Sequence, residues 1–163
     1  MTLVGITGHQ GLPTETARLV EDALRVELAP LDDLVGISSL AEGADQIFAG
    51  LVLARGGRLN VVLPAADYRE NFAASDAEHF DDLLAQAASV VELPFGRSTE
   101  EAFFAAGQAI VDRCELLLAV WDGQQARGLG GTGDVVAYAQ AQGVNCRVIW
   151  PVGATRRSAP ENP

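Results

Sequence analysis

Apolar residues along the chain follow two alternating patterns, which predict strands and helices in turn. Some short runs are apolar throughout and offer no polar face to water, as is typical of strands buried on both sides of a sheet. Between them, apolar residues recur every three or four positions, as on one face of an amphipathic helix. The runs predicted as strands are Leu3–Thr7, Leu34–Ser38, Leu59–Leu63, Val90–Leu93, Leu116–Trp121 and Arg147–Trp150.

Two predicted helices carry the spacing of a capping box at their start. Ser75 precedes Glu78 by three residues, and Ser98 precedes Glu101 in the same way, each pair ahead of a helical apolar repeat. In a capping box the hydroxyl of the first residue accepts a hydrogen bond from the third amide of the helix. We therefore expect Ser75 and Ser98 to be the N-caps of their helices.

Strands that alternate with helices and are joined by short turns predict right-handed crossovers and a parallel sheet covered on both faces. The expected fold class is α/β: a Rossmann-like doubly wound sheet, mostly parallel, in a single three-layer domain. The predicted domain covers residues 1–152. Residues 153–163 are polar and rich in proline, and we expect them to form a disordered tail.

The densest group of glycines lies between the fifth predicted strand and the last long helix, in the stretch Gly128-Leu129-Gly130-Gly131-Thr132-Gly133-Asp134. A strand, a glycine-rich turn and a helix in this order place backbone N–H groups and the positive end of a helix dipole at one point. That arrangement favours an anion such as a phosphate. The alternative is that the glycines only shape a tight connection.

Two other turns should meet this one, because ligands of doubly wound sheets bind outside the carboxyl ends of the strands. Gly8 lets the backbone approach a ligand after the first strand. His9 could contact a phosphate or a base, or could be a solvated loop residue. After the second strand, Ser39 could cap a helix or bind a ligand oxygen, and Gly43 allows close approach.

The charged candidates each have a structural alternative. Glu42 is the better candidate for an acceptor of ribose hydroxyls, whereas we interpret Asp45 as a carboxylate that compensates the dipole of the following helix. Asp134 could accept a ribose hydroxyl or a proton, or could compensate a dipole in the same way. Arg127, and less strongly Arg69, could bind a phosphate or face solvent. An aromatic candidate ends the fifth predicted strand, where Trp121 could stack on a base or belong to the core.

The amino-acid composition excludes several classes of function. The 163 residues are 48% hydrophobic and 20% charged, which is typical of a globular domain. The net charge of −11 argues against non-specific binding of nucleic acid, since that binding depends on Lys and Arg. All eleven cations are Arg, so Schiff-base chemistry and a P-loop lysine are excluded.

Cys114 and Cys146 lie far apart, with no CxxC motif and no nearby histidine cluster. We expect free thiols in a reducing compartment rather than a disulfide, and no metal site or cofactor. The apolar runs are far shorter than a membrane span, and the chain enters its first strand without a signal-like segment. The expectation is a cytoplasmic protein that does not bind membranes.

The three turns resemble those of the SLOG superfamily, which joins the DNA-processing SMF/DprA proteins to the Lonely Guy (LOG) phosphoribohydrolases. The similar residues are Gly8-His9, Ser39-Leu40-Ala41-Glu42-Gly43-Ala44-Asp45 and Gly130-Gly131-Thr132-Gly133-Asp134. The resemblance covers about residues 3–152. It implies a nucleotide or a nucleotide-derived ligand, and a homodimer.

The match to the PGGxGTxxE turn of the LOG enzymes is partial. Leu129 replaces its proline, Asp134 its threonine and Ala137 its catalytic glutamate. Hydrolysis by that arrangement would need another carboxylate, for which Glu42 or Asp134 could substitute. The single-strand binding of the DprA branch uses a basic surface, which this acidic chain lacks.

The leading hypothesis is a nucleotide-binding or sensor module for a phosphate-bearing nucleotide or an ADP-ribose-like derivative. The amides of Gly131, Thr132 and Gly133 would hold the phosphate, Glu42 or Asp134 the ribose, and Trp121 the base. The alternative is a LOG-like nucleoside 5′-monophosphate phosphoribohydrolase or related N-glycosidase with Glu42 or Asp134 as its catalytic carboxylate. A third possibility is an interaction domain without a ligand.

Overall fold

The structure is a computed structural model that describes residues 1–125, 129 and 131–156. Within these residues, strands and helices alternate along the chain, as the apolar pattern predicts. Their order is β1 (Thr2–Gly8), α1 (Thr14–Leu28), β2 (Leu34–Ser38), α2 (Ala44–Ala54), β3 (Arg58–Leu63), a 3-10 turn (Tyr68–Asn71), α3 (Ala74–Ala85), β4 (Ser89–Glu92), α4 (Glu100–Arg113), β5 (Leu116–Val120), α5 (Thr132–Ala141) and β6 (Asn145–Ile149).

The strands form one sheet in the order β4-β3-β2-β1-β5-β6, and every neighbouring pair is parallel. The chain builds the sheet in one direction from β1 to β4 and then crosses back to place β5 on the other side of β1. The direction of winding therefore reverses between β1 and β5, where Gly8 lies opposite Val120. In doubly wound sheets this reversal opens a crevice for ligands.

Helices cover both faces of the sheet, which confirms the expected three-layer α/β fold. Leu118 of β5 packs in a core with α1 and α2, whereas its neighbour Leu117 packs in a core with α4 and α5. A third core joins α2, α3 and β3. Because both faces are covered, all five residues of β2 and of β5 are buried. The edge strand β4 is exposed throughout.

The two predicted capping boxes are wrong in detail. α3 begins at Ala74, so Ser75 lies inside its first turn, and the N-cap Ala73 has no side chain that could accept a hydrogen bond. α4 is capped one residue later than predicted, by Thr99, whose hydroxyl accepts a hydrogen bond from the Ala102 amide at 3.1 Å. Ser98 instead donates its hydroxyl to Asp67 at 2.7 Å. The contact with Asp67, a residue distant in the chain, thus replaces the helix cap that the local spacing predicts for Ser98.

The segment after β6 folds back onto α1. Thr155 accepts a hydrogen bond from the Thr16 hydroxyl at 2.8 Å and donates its amide to the same hydroxyl at 2.9 Å. Residues 153–156, the first part of the predicted tail, are therefore placed against the domain. The rest of that tail, residues 157–163, lies outside the described residues.

Both cysteines are free, as expected, and both are half-buried. Burial raises the pKa of the Cys114 thiol to about 11, so the thiol stays protonated near neutral pH. None of the helices in the described part of the chain is long and apolar enough to cross a bilayer.

Candidate ligand-binding cavity

A cavity of about 320 Å³ opens at the carboxyl ends of β1, β2, β3 and β5, beside the reversal of the sheet. This position is the one that the fold class favours for ligands. The cavity brings together residues from all three predicted turns. The predicted site residues that line it are Gly8, His9, Ser39, Trp121, Gly131, Thr132 and Gly133.

The start of α5 forms one wall of the cavity. Gly131 is the N-cap, with φ −70° and ψ 170°, and the helix continues through Thr132 and Gly133. The first amides of an α-helix have no acceptor inside the helix, and a glycine N-cap has no side chain to offer them. This wall therefore presents backbone N–H groups and the positive end of a helix dipole.

The start of α5 also packs closely against α4. A Cβ added at Gly107 of α4 would lie 2.5 Å from Cγ2 of Val135, so the glycine permits a close approach of the two helices. Both Gly107 and Val135 line the cavity. The position of the α5 N-terminus is thus fixed by helix packing and not by the turn alone.

Gly8 at the end of β1 is required by packing as well as by any ligand. A Cβ there would lie 2.6 Å from Cβ of Ala44 and 2.8 Å from Cβ of Val120. The first turn of α2 and the end of β5 therefore close on Gly8 directly. The same glycine leaves its backbone accessible to the cavity.

His9 is buried beside Asp122 and the edge of the Trp150 ring. Its Nε2 lies 3.2 Å from Oδ1 of Asp122 and 3.1 Å from the amide nitrogen of the same residue, contacts that require opposite roles of that nitrogen. Burial lowers the pKa of His9, the charge of Arg156 lowers it further, and Asp122 opposes both. The imidazole is therefore neutral near pH 7 and does not supply a cation to the cavity.

The carboxyl group of Asp45 lies in the wall of the cavity, a position that the sequence did not predict. The sequence favours a dipole-compensating carboxylate, and Asp45 does lie in the first turn of α2, but it is only 7% exposed and lines the cavity. Its Oδ2 accepts a hydrogen bond from the Ala41 amide at 3.3 Å. Burial raises the pKa of Asp45 to about 7, against the opposing effect of the Ala41 and Ser39 amides.

Glu42 and Gly43 do not line the cavity. The Glu42 carboxylate accepts a hydrogen bond from the Gly11 amide and so joins the second turn to the first. Gly43 has φ +94°, and a Cβ there would lie 2.7 Å from the carbonyl oxygen of His9. These two residues hold the turns together, and the predicted ribose contact of Glu42 finds no support in its position.

The remaining candidates are placed as follows. Trp121 lies at the end of β5, where its indole N–H donates to the Gln124 carbonyl at 2.8 Å and its ring borders the cavity. Asp134 lies in the first turn of α5 and does not line the cavity. Arg69 makes two hydrogen bonds to Asp81, at 2.8 and 2.7 Å, away from the cavity. The predictions for Arg127 and Gly130 fall outside the described residues.

Among the lining residues that were not predicted as site residues are Tyr68, Phe103 and Arg156. Tyr68 is buried and packs edge-to-face on Phe72, Phe80 and Phe103, and Phe103 also lines the cavity. Arg156, from the segment after β6, reaches the cavity as well. The aromatic residues fit ordinary core positions in the sequence, and nothing local marks a residue of a polar tail as part of a site.

Within the described residues, no group of three or more His, Cys, Asp or Glu side chains could hold a metal ion. The lining includes the start of a helix, aromatic rings, one buried carboxyl group and one guanidinium group. Such a lining can bind an anion at one end and a flat ring at the other.

Solved structures share this fold. The chain is similar to DNA processing protein A (DprA) from Streptococcus pneumoniae, with 19% identity and a TM-score of 0.71 over 94% of this chain and 52% of that one. DprA from Helicobacter pylori, described for its single-stranded DNA binding mode, matches at 17% identity and a TM-score of 0.67 over 95% of this chain and 68% of that one. A molybdenum cofactor binding protein from Rippkaea orientalis matches at 14% identity and 0.58, over 90% of this chain and 75% of that one.

These similarities show that the chain shares its fold with the DprA proteins and with the molybdenum cofactor binding protein, which agrees with the fold that the resemblance implies. The chain spans about half the length of the Streptococcus pneumoniae protein. No protein-family model and no curated protein sequence matches it.

Proposed function

We propose that this chain binds a phosphate-bearing nucleotide, or a small molecule derived from one, in the cavity at the sheet reversal. The observation that carries the proposal is the meeting of the α5 N-terminus with Arg156 in one cavity. Arg156 is the one Arg or Lys side chain among the described lining residues. A guanidinium group and helix amides together complement the charge and the oxygens of a phosphate.

The size of the cavity favours a small ligand. Ligand pockets commonly hold about 300–1,000 Å³, and the cavity of about 320 Å³ lies at the lower end of that range. A mononucleotide or a similar compound suits this space better than a polymer. The net charge of −11 also disfavours a long polyanion, although one solved relative is described as binding single-stranded DNA.

The rest of the ligand has its own support in the lining. Trp121, Tyr68 and Phe103 border the cavity, and aromatic side chains commonly pack on the rings of heterocyclic ligands. Another solved relative is described as a molybdenum cofactor binding protein. A nucleotide-derived compound with a ring at one end and a phosphate at the other fits this lining.

Isothermal titration calorimetry with AMP, GMP and ribose 5-phosphate tests the proposal, with adenosine and guanosine as controls that lack the phosphate. We expect the phosphorylated compounds to bind and the nucleosides to bind at least tenfold more weakly. Arg156→Ala should weaken the phosphates at least tenfold. Arg113→Ala removes an exposed cation from the end of α4 and should have no effect. Failure of every phosphorylated compound to bind would refute the proposal.

Binding is the function that the geometry supports best, because the carboxylates expected for catalysis, Glu42 and Asp134, do not line the cavity. The phosphoribohydrolase alternative stays a prediction. Chromatography of AMP and GMP incubated with the protein checks it, since hydrolysis would release the free base and ribose 5-phosphate. The predicted homodimer also stays a prediction, which light scattering after size-exclusion chromatography can check.

A further inference from the structure

The cavity holds a buried carboxyl group that has no cationic partner among the described residues. Asp45 is 7% exposed, and no Arg or His in the described part of the chain lies within ion-pair distance of it. A buried carboxylate is costly unless it is paired or fully hydrogen-bonded. Asp45 lines the cavity, so a bound ligand can supply the donors that the protein does not.

The protein supplies only neutral donors to this group. Oδ2 of Asp45 accepts the Ala41 amide at 3.3 Å, and the Ser39 amide also interacts with the carboxylate. Backbone amides orient a carboxylate but do not cancel its charge. The geometry therefore leaves Asp45 as an acceptor held in a fixed position at the cavity wall.

Aromatic rings line the same cavity as this acceptor. Tyr68 lies with its ring centroid 5.0 Å from that of Phe72 and 5.9 Å from that of Phe80, so its orientation is fixed by packing. Phe103 contacts Tyr68 edge-to-face, at 6.2 Å between centroids, and is 37% exposed. Fixed rings and a fixed carboxylate together suit a flat heterocycle whose edge carries N–H groups.

We propose that Asp45, Tyr68 and Phe103 form a base-recognition subsite that selects a heterocycle with two adjacent N–H donors. Guanine has such an edge in its ring N–H and its exocyclic amino group, and both oxygens of a carboxylate can accept from it. Adenine has an acceptor nitrogen beside its amino group, which repels a carboxylate. The inference rests on the proposed function, since the phosphate of the same ligand would lie at the start of α5.

The protonation of Asp45 supports this assignment. Burial raises its pKa to about 7, so the carboxyl group is partly protonated near neutral pH and must be ionised to accept two donors. We therefore expect the preference for guanine over adenine to increase between pH 6 and pH 8. Tyr68, His9 and Arg156 share the cavity. The raised pKa of Tyr68 keeps its hydroxyl neutral over this range, and burial lowers the pKa of His9, which disfavours its charged form.

Calorimetric titration of the wild-type chain with GMP, IMP, AMP and ribose 5-phosphate at pH 8 tests the subsite. GMP should bind at least tenfold more tightly than AMP, and IMP, which has one N–H donor on this edge, should lie between them. Asp45→Asn should weaken GMP at least tenfold and change AMP less than twofold. Asp82→Asn, an exposed change on α3, is the matched control and should change neither.

The outcomes separate the two proposals. Equal affinity for GMP, IMP and AMP in the wild-type chain would overturn the subsite while leaving phosphate binding intact. Failure of ribose 5-phosphate and of all three nucleotides would refute the proposed function itself. If Asp45→Asn does not fold, Phe103→Ala replaces it, because this partly exposed ring can be removed with less disturbance. It should weaken GMP at least threefold and leave ribose 5-phosphate unchanged, and unchanged GMP binding would count against the subsite.

Discussion

Two helices of this chain, α2 and α5, begin at a glycine N-cap beside the same edge of the sheet, and the protein uses their first turns differently. The first amide of α2, that of Ala44, donates to the carbonyl of His9 at 3.3 Å. The preceding Gly43 has φ +94° and lies against the same carbonyl. By contrast, Gly131 before α5 has φ −70°, which any residue can adopt, and it lines the cavity, whereas Gly43 does not.

The difference shows that a glycine-bearing turn can serve either internal packing or access to a cavity. At α2 the glycine lets two segments of the protein come into contact, and the Ala44 amide is hydrogen-bonded within that contact. At α5 the N-cap glycine and the first residues of the helix line the cavity, where a ligand can reach them. The density of glycines does not separate these cases. The backbone angle of the glycine and its position relative to the cavity do separate them.

The largest expected effect comes from breaking the α2 contact. Gly43→Ala should lower the free energy of unfolding by about 3 kcal/mol, because it adds a strained backbone conformation to an overpacked Cβ. Gly50→Ala is the control, since its Cβ would meet no atom within 4 Å and the change should be neutral or stabilising. Urea unfolding of both variants measures the difference. A loss below about 1 kcal/mol for Gly43→Ala would contradict the packing role.

The first turn of α2 also predicts a pH dependence. The pKa of Asp45 is about 7 in the folded chain and 3.8 without perturbation, so the folded state binds the proton more tightly. Its contribution to stability is therefore greatest at low pH and falls as the pH rises from about 4 to 7, by up to about 1.4 kcal/mol per pH unit.

Asp45→Asn should remove this slope. The stability of the wild type relative to Asp45→Asn should fall by about 2 kcal/mol between pH 5 and pH 7. Urea unfolding at pH 5, 6 and 7 measures it for both chains. Asp82→Asn should track the wild type at each pH. A constant difference between wild type and Asp45→Asn would show that the folded-state pKa of Asp45 is not raised.

A third change makes the start of α5 resemble that of α2 by occupying its amides with a protein group. Gly131→Asp should leave stability unchanged or raise it by a few tenths of a kcal/mol, because Asp is a good N-cap. It should weaken ribose 5-phosphate at least tenfold, about 1.4 kcal/mol, because its carboxylate competes for the amides and repels the phosphate.

Gly131→Asn is the matched control for that change, since it has the same shape and capping ability without the charge. We expect it to weaken the phosphate less than Gly131→Asp does. Calorimetric titration of both variants gives the comparison. Unchanged affinity in Gly131→Asp would mean that the phosphate does not bind at these amides.

The smallest expected effect concerns the segment that carries Arg156. Thr16→Val removes the hydroxyl that bonds both the amide and the carbonyl of Thr155. We expect faster hydrogen exchange at the Thr155 amide and about threefold weaker phosphate binding, because Arg156 is then held less firmly. The exposed Thr14→Val should change neither. Normal affinity with fast exchange would show that Arg156 does not depend on this anchor.

Much of the fold follows from local patterns. Runs such as Leu34–Ser38 and Leu116–Val120 are apolar at every position because both faces of a central parallel strand are covered, and this signal is strong. The shared position of the three turns follows from the parallel topology. Local signals failed where a tertiary partner competed, as when Asp67 bound Ser98 and left Thr99 to cap α4.

The site was only partly predictable, because a site depends on which side chains meet. The turns that line the cavity are visible as glycine-bearing segments after apolar runs. The sequence does not show that Glu42 joins two turns while Asp45 lines the cavity. The two carboxylates lie three residues apart at the same helix start and differ only in what surrounds them. The surroundings of Asp45 include Tyr68, which lies in a later segment of the chain and cannot be read from the turn.

The sequence by itself determined the alternation of strands and helices, the parallel sheet and the edge at which its glycine-bearing turns gather, because these follow from periodicity and chain connectivity. Only the tertiary structure decided which N-cap glycine lines the cavity, which carboxyl group is buried and that Arg156 returns to the cavity. Those outcomes depend on contacts between residues far apart in the chain, such as Thr16 with Thr155, and no local pattern encodes them.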